Sequence, residues 1–180
     1  MPRIPYPDVA GLPETAQRIL AGTPLNVVRI GAVASPALFE AQGRLSYAIA
    51  DPEVLEPRIR EAAILRVAHL SGSVYELHHH GTLARAAGLT ERDLEAIEHR
   101  TYHRLDPTLA AVCRFTDEVV LDLAPSDATL SGLRALVSDR VVVNLVLAAG
   151  CYMTVARLIA TSGIELDEQP LEHLTTGPAE

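Results

Sequence analysis

Two helical segments joined by three small residues are the feature of this sequence that most constrains its fold. Residues 58–70 (RIREAAILRVAHL) carry apolar side chains over a wide face, and residues 75–87 (YELHHHGTLARAA) keep helical spacing up to Gly88. The Ser-Gly-Ser break between them offers cap residues and a reversal of direction. We therefore predict two helices that pack against each other, with most of the first one buried.

The rest of the chain repeats the helical period between proline and glycine breaks, without an alternating run that would predict a strand. The sequence therefore predicts an all-α fold, a compact bundle of about seven to eight helices. The other helical segments are about 13–21, 25–35, 36–50, a short helix after Thr90, about 107–123, one after Ser126, and about 140–161.

The 180 residues suit one domain with a substantial core, so we predict a single domain spanning 1–180. Four prolines within residues 1–13 disfavour helix there and predict an extended arm that needs another surface to order it. Residues 168–180 are polar and predict a C-terminal tail with mobile last residues.

Composition excludes several classes of function. The net charge of -8 and scattered basic residues argue against a nucleic-acid partner. Cys113 and Cys151 lack a CxxC spacing, which argues against a disulfide framework or structural zinc and favours a reducing cytoplasm. The proline-rich N-terminus lacks the apolar segment of an export signal. The longest apolar run, 141–156, is shorter than the ~20 residues of a membrane span, so we expect a core helix and no membrane partner.

Three adjacent histidines, His78 to His80, raise the question of a metal site. Successive helix residues point about 100° apart, so the three rings cannot converge on one ion. His80 instead shares a stripe with Glu76, four residues earlier, which by itself is often an ordinary surface pair. Glu61 lies in the apolar preceding segment, and packing of the two helices would bring it to that stripe. Two acids and an imidazole in a semi-buried pocket favour acid–base chemistry.

The segment RIREAAILRVAHLSGSVYELHHHGTLARAAGLTERDLEAI resembles the core signature of the carboxymuconolactone decarboxylase and alkylhydroperoxidase-D-like superfamily. An Arg-Glu pair, Arg60-Glu61, precedes a YEWxxHxxxAxxxGL-type segment whose matching residues are Tyr75, Glu76, His80, Ala84, Gly88 and Leu89. The resemblance continues over nearly the whole chain. It implies an alkylhydroperoxidase-D-like bundle that assembles as a homo-oligomer, a trimer or hexamer, with pockets near subunit contacts.

Two departures from the family pattern affect function. Leu77 replaces the usual tryptophan, which changes core packing or a pocket wall. The peroxidase branch carries a CxxC whose cysteines would fall at Ser73 and Glu76, so the peroxide-reducing dithiol cycle cannot run at that site. Cys113 and Cys151 do not replace it, because a resolving cysteine must reach its partner within disulfide geometry.

Resemblance to the decarboxylase branch implies a cofactor-free, metal-free reaction on a small carboxylated lactone or oxo acid. His80 would transfer the proton, Glu76 would orient it or share the proton, and Glu61 would be a second acid–base group. Arg60 or Arg157 would hold the substrate carboxylate. The other candidate substrate-binding residues are Tyr75, Tyr152, Leu77 and Ser73.

Three alternatives remain open from the sequence. The same acid–base residues would serve an isomerase, a cyclase or a lactone hydrolase. A metal-dependent enzyme would use Glu61, Glu76 and His80 as ligands, although their spacing matches no strong zinc motif. The third alternative is a non-enzymatic oligomer that binds a small acid.

Overall fold

The computed structural model describes residues 2–172, which form nine α-helices, two short 3₁₀ turns and no strand. The all-α prediction is confirmed, but the predicted count of seven to eight helices is too low. The helices are α1 (Glu14–Gly22), α2 (Asn26–Gly31), α3 (Pro36–Ala50), α4 (Pro57–Ser71), α5 (Val74–Ala86), α6 (Glu91–Glu98), α7 (Pro107–Leu121), α8 (Asp127–Arg134) and α9 (Asp139–Ser162).

Local sequence signals set where these helices begin and end. Proline is the first residue of α4 and α7, where its missing N–H costs nothing, and Pro36 separates α3 from the six-residue α2. Thr90 and Asp93 form a reciprocal capping box at the start of α6. Gly163, with a φ of 62°, ends α9 in the left-handed conformation that glycine adopts without strain.

Helix α4 lies at the centre of the fold and packs against α5, α7 and α9. All nine residues from 60 to 68 are buried, so this helix has no solvent-facing side over more than two turns. Three of them, Arg60, Glu61 and Arg66, are charged, and buried charges require partners.

Arg66 finds its partner on α7. Its Nε donates to Oδ1 of Asp117 at 2.5 Å, while the hydroxyl of Tyr102 and Nε of Arg100 donate to Oδ2 at 2.7 and 3.1 Å. Arg66 also donates to the carbonyl oxygen of Ile97 at 3.1 Å. The network joins α4 to α7 and to the end of α6, and none of its members lines the cavity described below.

Helix α9 has 24 residues, more than the apolar run predicted, and by length and composition alone it could cross a membrane. One face, which includes Leu145, Ala148 and Tyr152, belongs to the main hydrophobic cluster with residues of α4 and α7. This packing is typical of a core helix in a soluble helical domain.

Both ends of the described chain lie on its own helices. The N-terminal arm bonds to the end of α9, where Arg3 N donates to the carbonyl oxygen of Ser162 at 2.6 Å. The Arg29 guanidinium of α2 covers the ring of Tyr6, 4.2 Å from its centroid. The predicted arm is therefore ordered by its own chain. Of the predicted tail, residues 173–180 lie outside the described residues, and residues 164–172 fold back toward α5.

Candidate active site

A cavity of about 450 Å³ lies between α1, α2, α3, α5, α9 and residues 170–172. Its wall is largely apolar and includes side chains from α2, α3 and α9. The polar side chains of Glu76, His79 and His80 reach it from α5, and those of Gln42 and Ser46 from α3. A concave, mainly apolar pocket with a few convergent polar groups is typical of a small-molecule site.

The imidazole of His80 is held from behind by the buried carboxylate of Glu61. Nδ1 of His80 lies 2.7 Å from Oε2 of Glu61, and Nε of Arg60 donates to Oε1 at 2.9 Å. Burial raises the pKa of Glu61, but the His80 ring and the Arg60 guanidinium outweigh it and lower the pKa below its usual range. An ionised carboxylate only accepts hydrogen bonds, so Nδ1 of His80 donates to Glu61, and in the neutral ring Nε2 is the nitrogen with a free lone pair.

Glu76 is buried, and its carboxyl group makes no hydrogen bond of normal geometry with any of residues 2–172, although the nearby Ser73 hydroxyl lowers its pKa somewhat. Its side chain is part of the cavity lining, its residue surface is 2 % exposed, and neither carboxylate oxygen has a partner among residues 2–172. Burial raises the pKa of Glu76 to about 7, against smaller opposing effects of Ser73 and His80. The carboxyl group is therefore partly protonated at neutral pH, and in that form it can donate a hydrogen bond to a molecule in the cavity.

Glu76→Gln is expected to stabilise the fold above pH 7 and to have little effect at pH 4. The carboxyl pKa is 4.5 in the unfolded chain and about 7 in the folded one, so the fold loses stability as pH rises through this interval. At pH 8 the variant should gain roughly 2–3 kcal/mol in free energy of unfolding. Urea unfolding at both pH values measures the difference, and an equal effect at pH 4 and pH 8 would contradict it.

Residues 164–172, the C-terminal strap, lie against α5 at the cavity. The carboxylate of Asp167 accepts hydrogen bonds from the Tyr75 hydroxyl, from Asn26 N at 3.0 Å and from His79 Nε2 at 3.1 Å. Nδ1 of His79 accepts from Leu171 N at 3.0 Å, which places the ring proton on Nε2. Burial lowers the pKa of His79 despite the Asp167 charge, which favours this neutral form. Tyr75 and His79 therefore hold the strap over the cavity.

Asp167→Ala is expected to loosen the strap without unfolding the domain. The substitution removes the shared acceptor of three hydrogen bonds, so protection of the strap amides should fall at least about tenfold while amides in α4 keep theirs. Hydrogen exchange followed by mass spectrometry measures both regions. Glu168→Ala, at an exposed position of the same strap, is the matched control. Unchanged exchange in Asp167→Ala would show that other contacts hold the strap.

The structure brings some predicted site residues together and separates others. Glu61, not Glu76, contacts the His80 ring, because the buried carboxylate between Arg60 and His80 takes both donors. The Tyr152 ring packs edge-on against His80, with centroids 4.9 Å apart, and lines the cavity. Ser73 is buried beside α5, and its hydroxyl has no partner among the described residues.

Neither predicted arginine lines the cavity. Arg60 is buried, and Nη1 donates to the carbonyl oxygen of Ala50 at 2.7 Å while Nε is bound to Glu61. Arg157 is exposed and donates to the carbonyl oxygen of Met153 on its own helix at 2.9 Å. Among residues 2–172, neither arginine that was expected to hold a substrate carboxylate lines the cavity. Leu77 packs against a core cluster rather than forming a cavity wall.

Sequence reasoning missed the contributions of α3 and of the strap. Gln42 and Ser46 line the cavity from α3, and Asp167 lies 88 residues after His79 along the chain. Gln42 and Ser46 carry no motif, and an aspartate in a polar tail resembles a solvated charge. Only the tertiary fold brings these residues to α5.

The described residues also bear on metal and thiol chemistry. Residues 2–172 contain no group of three or more His, Cys, Asp or Glu side chains arranged to hold a metal ion, and this includes Glu61, Glu76 and His80. Cys113 and Cys151 are both free and buried. Burial raises the pKa of the Cys113 thiol to about 12 and also raises that of Cys151, so neither has the thiolate character of a reactive cysteine.

The part of the chain that contains the site residues matches a known protein family. Residues 36–118, which run from α3 into α7 and contain Glu61, Glu76 and His80, match the model of the carboxymuconolactone decarboxylase family. The resemblance inferred from the sequence is thereby confirmed for the segment that carries the site. Comparison with the curated proteins found no match.

Two solved structures share the fold. One is an uncharacterized peroxidase-related protein with an alkylhydroperoxidase AhpD core from Ralstonia eutropha JMP134, with a TM-score of 0.77, 20% identity, and 93% of each chain covered. The other is a protein of unknown function from Agrobacterium tumefaciens, with a TM-score of 0.68, 24% identity, and coverage of 77% of this chain and 96% of that one. At these identities the likeness establishes the AhpD-like fold alone.

Proposed function

We propose that the cavity is the active site of a cofactor-independent enzyme that transfers protons at a carbon beside a carbonyl group. The observation that carries this proposal is that a candidate base and a candidate acid line the same cavity. His80, held by Glu61, presents a basic Nε2, and Glu76 presents a carboxyl that is partly protonated at neutral pH. Pairs of titratable groups whose surroundings push their pKa values apart are typical of acid–base catalytic sites.

The reaction that fits these roles is an isomerisation of an unsaturated ketone or lactone. Nε2 of His80 removes the proton from the carbon next to the carbonyl, and the C–H electron pair forms the enol double bond. Glu76 donates its proton to the carbonyl oxygen as charge develops there. Return of the proton from His80 to the far carbon of the conjugated system, and of the enol proton to Glu76, completes the isomer without loss of atoms.

Decarboxylation is the second candidate, and the family match favours it. Loss of carbon dioxide from a carboxylated lactone such as γ-carboxymuconolactone leaves an enolate, to which protonated His80 or Glu76 would deliver a proton at carbon. The reaction needs a carboxylate in the cavity, and no lining residue among those described is an arginine or lysine. The geometry therefore favours proton transfer without carbon loss.

The test uses chelator-treated protein, so that any turnover is metal-independent. Purified enzyme is incubated in deuterium oxide with α-angelica lactone, its pentyl homologue and γ-carboxymuconolactone, and proton NMR follows α-deuteration, isomer formation and carbon dioxide release. We expect α-deuteration and isomerisation of the unsaturated lactones above the buffer rate. Carbon dioxide release without α-deuteration would favour the decarboxylase, and the absence of both reactions would overturn the proposal.

Two expectations from the sequence extend the proposal. We propose a homo-oligomer, supported by exposed apolar side chains at helical spacing on α9: Val143, Val146 and Leu147 are 57%, 43% and 51% exposed. A trimer or hexamer is the expected size, which light scattering would measure. We also propose a cytoplasmic location, supported by the two free thiols.

A further inference from the structure

The wall of the cavity consists mainly of hydrocarbon. Leu25, Val28, Phe39, Val155 and Leu158 contribute to it from α2, α3, α9 and the turn before α2. A volume of about 450 Å³ lies in the range of small-molecule pockets and is large for a compact polar acid. Apolar surface of this extent favours a ligand that buries a hydrocarbon part against it.

No arginine or lysine among residues 2–172 offers a permanent positive charge to an anion in the cavity. The chain contains no lysine, and none of its arginines is among the described lining residues. The nearby Arg60 is bound to Glu61 and to a backbone carbonyl, and Arg29 lies over the Tyr6 ring. Glu76 also lines the cavity, and its acidic side chain adds no positive charge there. A carboxylate or phosphate ligand would therefore be buried without a permanent counter-charge, which is costly.

Two polar side chains that line the cavity from α3 already have hydrogen-bond partners. Nε2 of Gln42 already donates to the sulfur of Cys151 at 3.1 Å, and Oγ of Ser46 donates to the carbonyl oxygen of Gln42 at 3.1 Å. Both carboxyl oxygens of Glu76 are enclosed by protein and make no hydrogen bond of normal geometry with residues 2–172, and only 2% of the residue's surface is exposed. An unpaired buried polar group favours a ligand atom that completes it, and a rotation of the Glu76 side chain would bring its carboxyl to a ligand in the cavity.

We infer that the cavity takes an uncharged, mainly hydrocarbon ketone or lactone whose single carbonyl oxygen accepts a hydrogen bond from Glu76. This inference rests on the proposed function for the placement of the carbonyl carbon beside His80, and it adds the class of substrate. The hydrocarbon part lies between α2, α3 and α9, and the C-terminal strap covers it through Leu171. Small dicarboxylic and tricarboxylic acids are excluded as preferred ligands.

The test compares two ten-carbon probes of matched length, methyl octyl ketone and decanoate, by isothermal titration calorimetry at pH 6. Both are soluble enough at low concentration, and decanoate is ionised at this pH. We expect the ketone to bind with a Kd at least about tenfold lower than that of decanoate. Equal or tighter binding of decanoate, or no binding of the ketone, would overturn the inference.

A pair of glycine variants locates the binding. Gly43→Leu adds a side chain at a lining position, where the first new carbon would lie 3.9 Å from the Tyr47 ring, and it should weaken ketone binding at least about tenfold. Gly132→Leu on α8, with nothing within 4 Å of its Cβ, should bind as the wild type does. If Gly43→Leu is folded and binds normally, the inferred site is wrong. If the ketone binds but no lactone is deuterated at its α carbon, the proposed function is wrong while the inferred class of ligand is retained.

Discussion

His80→Gln is expected to lower kcat/KM for α-proton exchange by roughly 10²–10⁴-fold, the usual contribution of a general acid–base group. Glutamine keeps a side-chain amide that can donate to Glu61, but it offers no basic nitrogen at the position of Nε2. The change therefore removes the proposed base while it leaves the partner of the buried carboxylate in place. Proton NMR of deuterium incorporation into one lactone substrate measures the loss of kcat/KM directly.

Another histidine of the triplet supplies the control. His78 lies two residues before His80 and does not line the cavity, so His78→Gln should retain activity within about twofold. Thermal unfolding by circular dichroism shows whether both variants are folded. A folded His80→Gln enzyme with wild-type exchange rates would exclude His80 as the proton-transfer residue, and equal losses in both variants would indicate a structural effect instead.

The pH dependence of activity independently tests whether Glu76 acts as a proton donor. If its protonated carboxyl assists the carbonyl oxygen, activity must fall as pH rises through about 7, because the donor is lost on ionisation. Glu76→Gln keeps an N–H donor that does not ionise, so its profile should lose this alkaline limb. An alkaline limb that persists in the variant would assign it to another group.

Several features of the fold could be predicted from the sequence because their causes are local. A proline in the first turn of α3, the Thr90–Asp93 capping box and the glycine after α9 each act within one helix turn, so neighbouring residues are enough to indicate them. The approach of Glu61 to His80 was predictable for a related reason. Only two residues, Gly72 and Ser73, link their helices, so α4 and α5 must pack together.

The parts that escaped prediction depend on contacts far apart in sequence. The i, i+4 rule suggested a Glu76–His80 pair, yet it does not account for Glu61, which competes for the same ring from another helix. Arg60 was expected to bind substrate because its neighbours match a family motif, but burial in α4 requires that its charge be paired internally. The contact of Asp167 with Tyr75 requires the strap to return across the cavity.

Glu61→Leu is expected to lower the free energy of unfolding by roughly 3–5 kcal/mol at pH 7, the cost of breaking a buried ion pair from one side. Glu61 is fully buried, and its loss leaves the Arg60 guanidinium without its carboxylate and Nδ1 of His80 without an acceptor. Urea unfolding measures the change. Glu95→Leu, at an exposed carboxylate of α6, is the control and should change stability by no more than about 0.5 kcal/mol.

The pH dependence of this loss has a definite sign. The pKa of Glu61 is lowered in the folded chain, so its ionised pair stabilises the fold above the unfolded value of 4.5 and this contribution disappears as pH falls below it. The difference between Glu61→Leu and the wild type should therefore shrink in acid. Glu76 behaves in the opposite way, since its raised pKa costs stability as pH rises, and the two variants separate the two carboxyl groups by pH alone.

The double variant Arg60→Met, Glu61→Leu decides whether the loss comes from an unpaired charge or from poor packing. Removing both charges leaves no buried cation, so the double variant should be more stable than Glu61→Leu alone by about 1–4 kcal/mol. We nevertheless expect both Glu61→Leu and the double variant to be inactive in proton exchange. In each, His80 has lost the carboxylate that fixes its tautomer. Recovery of stability without recovery of activity would assign Glu61 a role in positioning the base, whereas recovery of both would show that His80 needs no carboxylate partner.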